Sequence, residues 1–127
     1  MRKIISTDKA PAAVGPYSQA VKFGDFLFTS GQIPLDPATG ALVSESFDAQ
    51  AEQVFKNMLE VLAAGGASMN DVVKSTVFLI DLANFARFNE IYARYFTSDP
   101  PARSCVQVSA LPKGALVEME CVACIKG

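Results

Sequence analysis

The chain has 127 residues, half of them apolar, and a formal net charge of −2. That length suits one domain over residues 1–127 with a core that needs no covalent staples. The Lys and Arg residues are scattered, which excludes the basic face that nucleic acid requires. The apolar runs are strand-length, which excludes a membrane span.

Ile4 and Ile5 open a first strand, and "APAAVGPYS" then reads as irregular chain, with Pro11, Gly15 and Pro16 as breakers. The same N-terminal stretch has no long apolar core, so no signal peptide is expected and a cytoplasmic location is. "QAVKFGDFLFTSG" predicts two short strands around a Gly24-Asp25 turn. "QIPLDPATGALV" is a loop. From Phe47, apolar residues at Ala51, Val54, Phe55, Met58 and Leu62 trace one helical stripe. Ser46 or Asp48 caps it, and Gly65-Gly66 ends it. "DVVKSTVFLID" is a buried strand. Phe85, Phe88, Tyr92 and Tyr95 then mark a second helix with an aromatic stripe of core type, Asn84 as its cap and Pro100-Pro101 as its stop. Two strands follow, near 103–109 and 116–125.

Two amphipathic helices can cover only one face of a sheet this size. The other face must meet solvent or another subunit, and a half-apolar composition favours the subunit. Side chains alternate along strands. Arg103, Cys105, Gln107 and Ser109 therefore share one face, and Ser104, Val106 and Val108 the other. The valine face is expected under the helices and the arginine face uncovered. In the last strand Val117, Met119, Cys121, Ala123 and Ile125 oppose Glu118, Glu120, Val122 and Cys124. Parity thus allows Arg103, Glu118 and Glu120 to share the uncovered face, as a site or as surface ion pairs of little energy.

The cysteines, Cys105, Cys121 and Cys124, are odd in number, and there is no histidine. The C-x-x-C pair falls on opposite faces of a strand, so it cannot hold one metal. No metal or cofactor is expected. The thiols read as small hydrophobes in a reducing compartment.

"PARSCVQVSALPKGALVEME" resembles the C-terminal signature of the Rid (YjgF) family, and "GPYSQAV", "FTSGQIP" and "VFLIDLANFARFNEIYARYF" are similar to further segments of it. The resemblance runs along essentially the whole chain and is nearest the RidA subgroup. It implies an α+β, chorismate-mutase-like fold with two helices on one face of a mixed sheet. It also implies a homotrimer with an inner barrel of sheets and clefts at the subunit interfaces. The implied activity is hydrolysis of 2-aminoacrylate, 2-aminocrotonate and their 2-imino acid tautomers to 2-keto acids and ammonia. The small 2-imino and 2-keto acids are then the partners.

The family's arginine falls on Arg103. A planar, permanently charged guanidinium grips a carboxylate with two parallel hydrogen bonds, and the preceding prolines restrict its approach. The family's glutamate falls on Glu118, placed to take a proton from water; Glu120 shares its parity and is the runner-up. Tyr17, Ser30, Gly31 and Asn89 fall on cleft-lining positions, and the Cys105 backbone on a ligand contact. Cys105 has no neighbouring base to make it a nucleophile. Two other readings keep the same chain without turnover: a small-acid sensor using the same cleft, and a holdase using exposed apolar surface. Ribonuclease activity is disfavoured by the acidic balance and the missing histidine.

Overall fold

The computed structural model of the protein describes residues 1–125. Strand β1 is Arg2–Ile5, β2 Ala20–Phe23 and β3 Phe26–Thr29. Helix α1 spans Phe47–Ala64, β4 Val72–Leu79, α2 Phe85–Tyr95, β5 Ala102–Gln107 and β6 Val117–Cys124. The strands form one mixed sheet in the order β1-β2-β3-β6-β4-β5. Only β4 and β5 pair in parallel. A parallel pair needs a crossover, and α2 supplies it. The fold is α+β, as expected.

Both helices form where the apolar spacing predicts. Ser46 caps α1 by accepting from the Ala49 N–H. Gly66, at φ +86°, makes the left-handed exit a side chain would strain. The cap of α2 differs from expectation. Asn84 makes no capping bond, because a helical turn at Leu82–Asn84 already precedes the helix and Asp81 accepts from the Ala83 N–H there.

The helices lie on one sheet face. Val54, Phe55, Met58, Val61 and Leu62 of α1 and Phe88 and Ile91 of α2 are fully buried against Leu27, Val77, Leu79, Val117, Met119 and Ala123 of the strands. Burying a side chain of this size stabilises by about 1.5–3 kcal/mol. Phe55 is the hub, stacked on Tyr95 at 4.2 Å and close to Phe88 at 5.8 Å. The aromatic stripe is core at Phe88 and Tyr92, but Phe85 stays exposed.

The register fixes what faces away. Ile4, Val21, Phe28 and Val122 are cross-strand neighbours, as are Phe23 and Phe26, and Phe78 with Val106. Phe23, Phe26, Phe28 and Val106 are each more than two-fifths exposed. Among the described residues nothing covers this second, apolar face.

One parity expectation is reversed. In β5 it is Arg103 and Cys105 that are half-buried on the helix side, while Ser104 and Val106 are exposed on the open side. Register explains this. Arg103 pairs with Ser75 and Cys105 with Val77, and both partners are fully buried beneath the helices. In β6 the parity holds: Val117, Met119, Cys121 and Ala123 face the helices, Glu118 and Glu120 do not.

Candidate functional site

The side chains singled out in the sequence fall into two groups. The first lines a cleft of about 550 Å³ that holds Tyr17, Ser30, Gly31, Glu118 and Glu120. Val14, Ile33 and Pro112 give the same cleft an apolar wall.

Its parts are pinned from beneath. Residues 30–33 run beside β6, where Gln32 exchanges backbone hydrogen bonds with Met119 at 2.8 and 3.2 Å. That pairing brings Gly31 against Glu118. A Cβ on Gly31 would lie 1.8 Å from Glu118 Oε2, so only glycine leaves the carboxylate its place. Ser30 Oγ donates to the Ser18 carbonyl at 2.6 Å. The Tyr17 hydroxyl accepts from the Val14 N–H at 3.2 Å, closing the "VGPY" segment into a strap on the rim. Asn57, buried in α1, donates to the carbonyls of Ile33 and Leu35.

Glu118 is half-buried, and burial pushes its carboxyl above the ordinary glutamate range, with the nearby charge of Glu120 adding to the rise. Glu120 is exposed. A carboxylate whose proton affinity is raised is a better acceptor for a proton from water.

The second group gathers where β5 meets α2. The Arg103 guanidinium carbon lies 4.7 Å from the Tyr92 ring centroid and 5.5 Å from that of Phe85. Asn89 stands between those two aromatics in the helical repeat, on the same face of α2. Its Oδ1 is buried without a hydrogen-bond partner. A buried amide oxygen left unpaired is costly. Cys105 is half-buried on the Arg103 side. Burial raises its thiol pKa, with the Arg103 charge opposing, so it is not poised as a thiolate.

The two groups are not brought together within one protomer. Arg103 faces the helices; Glu118 faces away, across from Phe78 on the open side of the sheet. The shared uncovered face that parity allowed for Arg103 and the two glutamates is therefore corrected: the glutamates lie on it and the arginine does not. Sequence reasoning also passed over Gln19. Its buried side chain donates to the carbonyls of Thr7 and Pro11 and accepts from the Thr7 N–H, fixing the irregular segment that ends at Tyr17. A glutamine beside a tyrosine gives no periodic signal that would have flagged it.

A small α+β protein with an open apolar sheet face and two separated polar clusters is the class these observations define. Comparison with known proteins narrows it. The family model described as Endoribonuclease L-PSP matches residues 7–125. Protein DfrA of Myxococcus xanthus is 56% identical, over 96% of this chain and 95% of its own. The human 2-iminobutanoate/2-iminopropanoate deaminase is 51% identical, over 97% of this chain and 90% of its own. The crystal structure of RidA from an Antarctic Psychrobacter superposes with a TM-score of 0.94 at 53% identity, covering 97% of this chain and 99% of that one. The chain belongs to this family, the Rid (YjgF) family.

Proposed function

We propose that the protein is a deaminase for small 2-imino acids, working at clefts shared between the subunits of a homotrimer. The observation that carries this reading is the split site. A guanidinium fit for a carboxylate and a glutamate tuned to accept a proton lie on opposite faces of one sheet, each group with a side left open. An interface that sets the Arg103 group of one protomer against the Tyr17–Ser30–Gly31–Glu118 group of its neighbour completes both. The same assembly buries the Phe23, Phe26 and Phe28 face, which a lone protomer leaves in water. The deaminase names of relatives at about half identity support the same chemistry.

In this reading Arg103 holds the substrate carboxylate through two parallel hydrogen bonds. The unpaired Asn89 Oδ1 accepts from the substrate's nitrogen or from water, and the Cys105 backbone borders the carboxylate. Tyr17 and the Val14, Ile33 and Pro112 wall cover the aliphatic end, with Ser30 at the floor. An enamine substrate first takes a proton from solvent at C3, the carbon next to the nitrogen-bearing one, giving the 2-iminium acid. Glu118 removes a proton from water as the oxygen bonds to the iminium carbon, and the C=N pair of electrons moves onto nitrogen. The carbinolamine then collapses: Glu118 returns its proton to nitrogen, the hydroxyl gives its own proton to Glu118 as the oxygen pair forms the carbonyl, and the C–N bond breaks. Ammonia leaves with that proton, the 2-keto acid is released and Glu118 is again a carboxylate. An iminium carbon is already electrophilic, so orientation and one proton acceptor suffice, and no histidine is called for. The compartment we infer is the cytoplasm, where three free thiols persist reduced.

The test is a coupled assay. A dehydratase releases 2-aminocrotonate from threonine, semicarbazide traps the free imine, and the protein competes with the trap. Wild type is expected to suppress the semicarbazone signal and Arg103→Ala is not. A wild-type protein that leaves the signal untouched sinks the deaminase reading.

A further inference from the structure

Arg103 is held in an unusual way for a surface-edge arginine. Among the described residues its guanidinium has neither an ion pair nor a side-chain hydrogen bond; the ion pairs there use Arg87 and Arg94. What it has is two aromatic ring faces, Tyr92 at 4.7 Å and Phe85 at 5.5 Å. We propose that Phe85 and Tyr92 are positioning residues: a cation–π clamp, locked by Ser75, that aims the Arg103 guanidinium at the ligand carboxylate. The proposal rests on the reading of Arg103 as the carboxylate anchor.

Three observations carry it. A ring face attracts the guanidinium's charge without using its N–H groups. An in-chain carboxylate would consume the donors that a ligand needs; the rings leave the whole fork free. Second, Phe85 is not part of the buried core cluster. It is 39% exposed and opens α2 outside the core, yet it sits on the one cation of β5. Third, the Tyr92 ring is fixed from behind. Its hydroxyl shares a 2.7 Å hydrogen bond with Ser75 Oγ. Ser75 is a fully buried hydroxyl on β4, in direct register with Arg103. One buried serine thus sits between the strand that carries the arginine and the ring that supports it.

The clamp makes a graded prediction. Replace Phe85 with mono-, di- and trifluorophenylalanine in the full-length protein. Shape is nearly kept while the ring's negative face weakens. Measure 2-oxobutanoate binding by calorimetry, and the kinetics of the coupled assay. Affinity is expected to fall stepwise, to about tenfold weaker for trifluorophenylalanine or for Phe85→Leu. KM should rise while kcat changes little, the mark of lost ground-state positioning. Tyr92→Phe keeps the ring but releases the Ser75 lock, and is expected to weaken binding about threefold. Two results overturn the clamp. If Arg103→Ala abolishes binding while the fluorinated series stays flat, the anchor stands and the clamp falls. If Arg103→Ala binds 2-oxobutanoate like wild type, the anchor itself is wrong and the clamp falls with it.

Discussion

A site shared between protomers can be tested by mixing two broken proteins. In the proposed reading, Arg103→Ala removes the carboxylate anchor from one group and Glu118→Gln the proton acceptor from the other. Each charge-assisted hydrogen bond to a carboxylate contributes about 1.5–3 kcal/mol. Losing both at Arg103 therefore costs about 3–6 kcal/mol, or some hundredfold to ten-thousandfold in kcat/KM. Each variant alone should be close to inactive. Arg103 and Glu118 lie on opposite faces of the sheet, so in the proposed reading a working cleft takes one from each of two protomers. Dissociate the variants, mix them in equal amounts and let them reassemble. A cleft then receives a wild-type arginine group with probability one half and a wild-type glutamate group with probability one half. About a quarter of wild-type activity should return, whatever the number of subunits in the ring. The semicarbazide assay reads this directly, with subunit exchange followed by mass spectrometry. Confirmed exchange with no recovered activity would mean that one protomer supplies both groups, and the split-site argument would be refuted.

Other consequences follow from the same geometry. The raised carboxyl of Glu118 places the acid limb of kcat/KM above the ordinary glutamate range. Glu120→Gln removes a like charge and should move that limb to lower pH, seen in a pH–rate profile. The linkage has a definite sign: a carboxyl raised in the folded state stabilises most when protonated, and that stability is lost as pH rises through its folded value. Glu118→Gln should accordingly raise Tm at pH 7 and have little effect at pH 4. Gly31→Ala should leave Tm nearly unchanged and cut activity at least tenfold. Its Cβ would occupy the space 1.8 Å from Glu118 Oε2, and a flexible side-chain end moves aside before the backbone does. Phe28→Lys puts a charge in the middle of the open apolar face. It should keep the protomer folded but shift it to monomer in analytical ultracentrifugation, with loss of turnover; an intact trimer would argue against that face as the interface.

The helices were legible because their signals are local. Spacing located α1 and α2, and of the two cap candidates, Ser46 and Asp48, the structure uses Ser46. The β6 parity was legible too, because its two faces differ: one is entirely apolar and the other carries Glu118 and Glu120. The same rule misread β5. It assumes that the apolar side of a strand is the helix side, and this sheet has apolar residues on both sides. Val106 joins Phe78 on the open face, while Arg103 tucks under α2 because its stem and its charge find ring faces there. Nothing in "PARSCVQV" taken alone distinguishes those outcomes; pairing with Ser75 and Val77 on β4 decides them, and pairing is a long-range fact. Parity put Arg103 and Glu118 forward as candidates, and motif resemblance supplied the roles expected of them. Their separation emerged only when the strands were ordered.

The residues least visible in the sequence are the ones that hold the cleft's loops still. Residues 7–19 and 30–44 have little regular structure, so their backbone groups need partners from elsewhere. Three buried amides supply them. Gln19 binds the chain at Thr7 and Pro11. Asn57 binds it at Ile33 and Leu35. Gln50 binds Ser44 and the Leu116 N–H just before β6. Each amide both donates and accepts, which a hydrophobic side chain of equal size cannot, and each is buried where an unpaired amide would be costly. On a helix wheel Gln50 and Asn57 look like errors in the apolar stripe of α1. They are the price of building a rigid cleft from loops: polar atoms placed in the core so that the segments carrying Tyr17 and Gly31 keep their places beside Glu118.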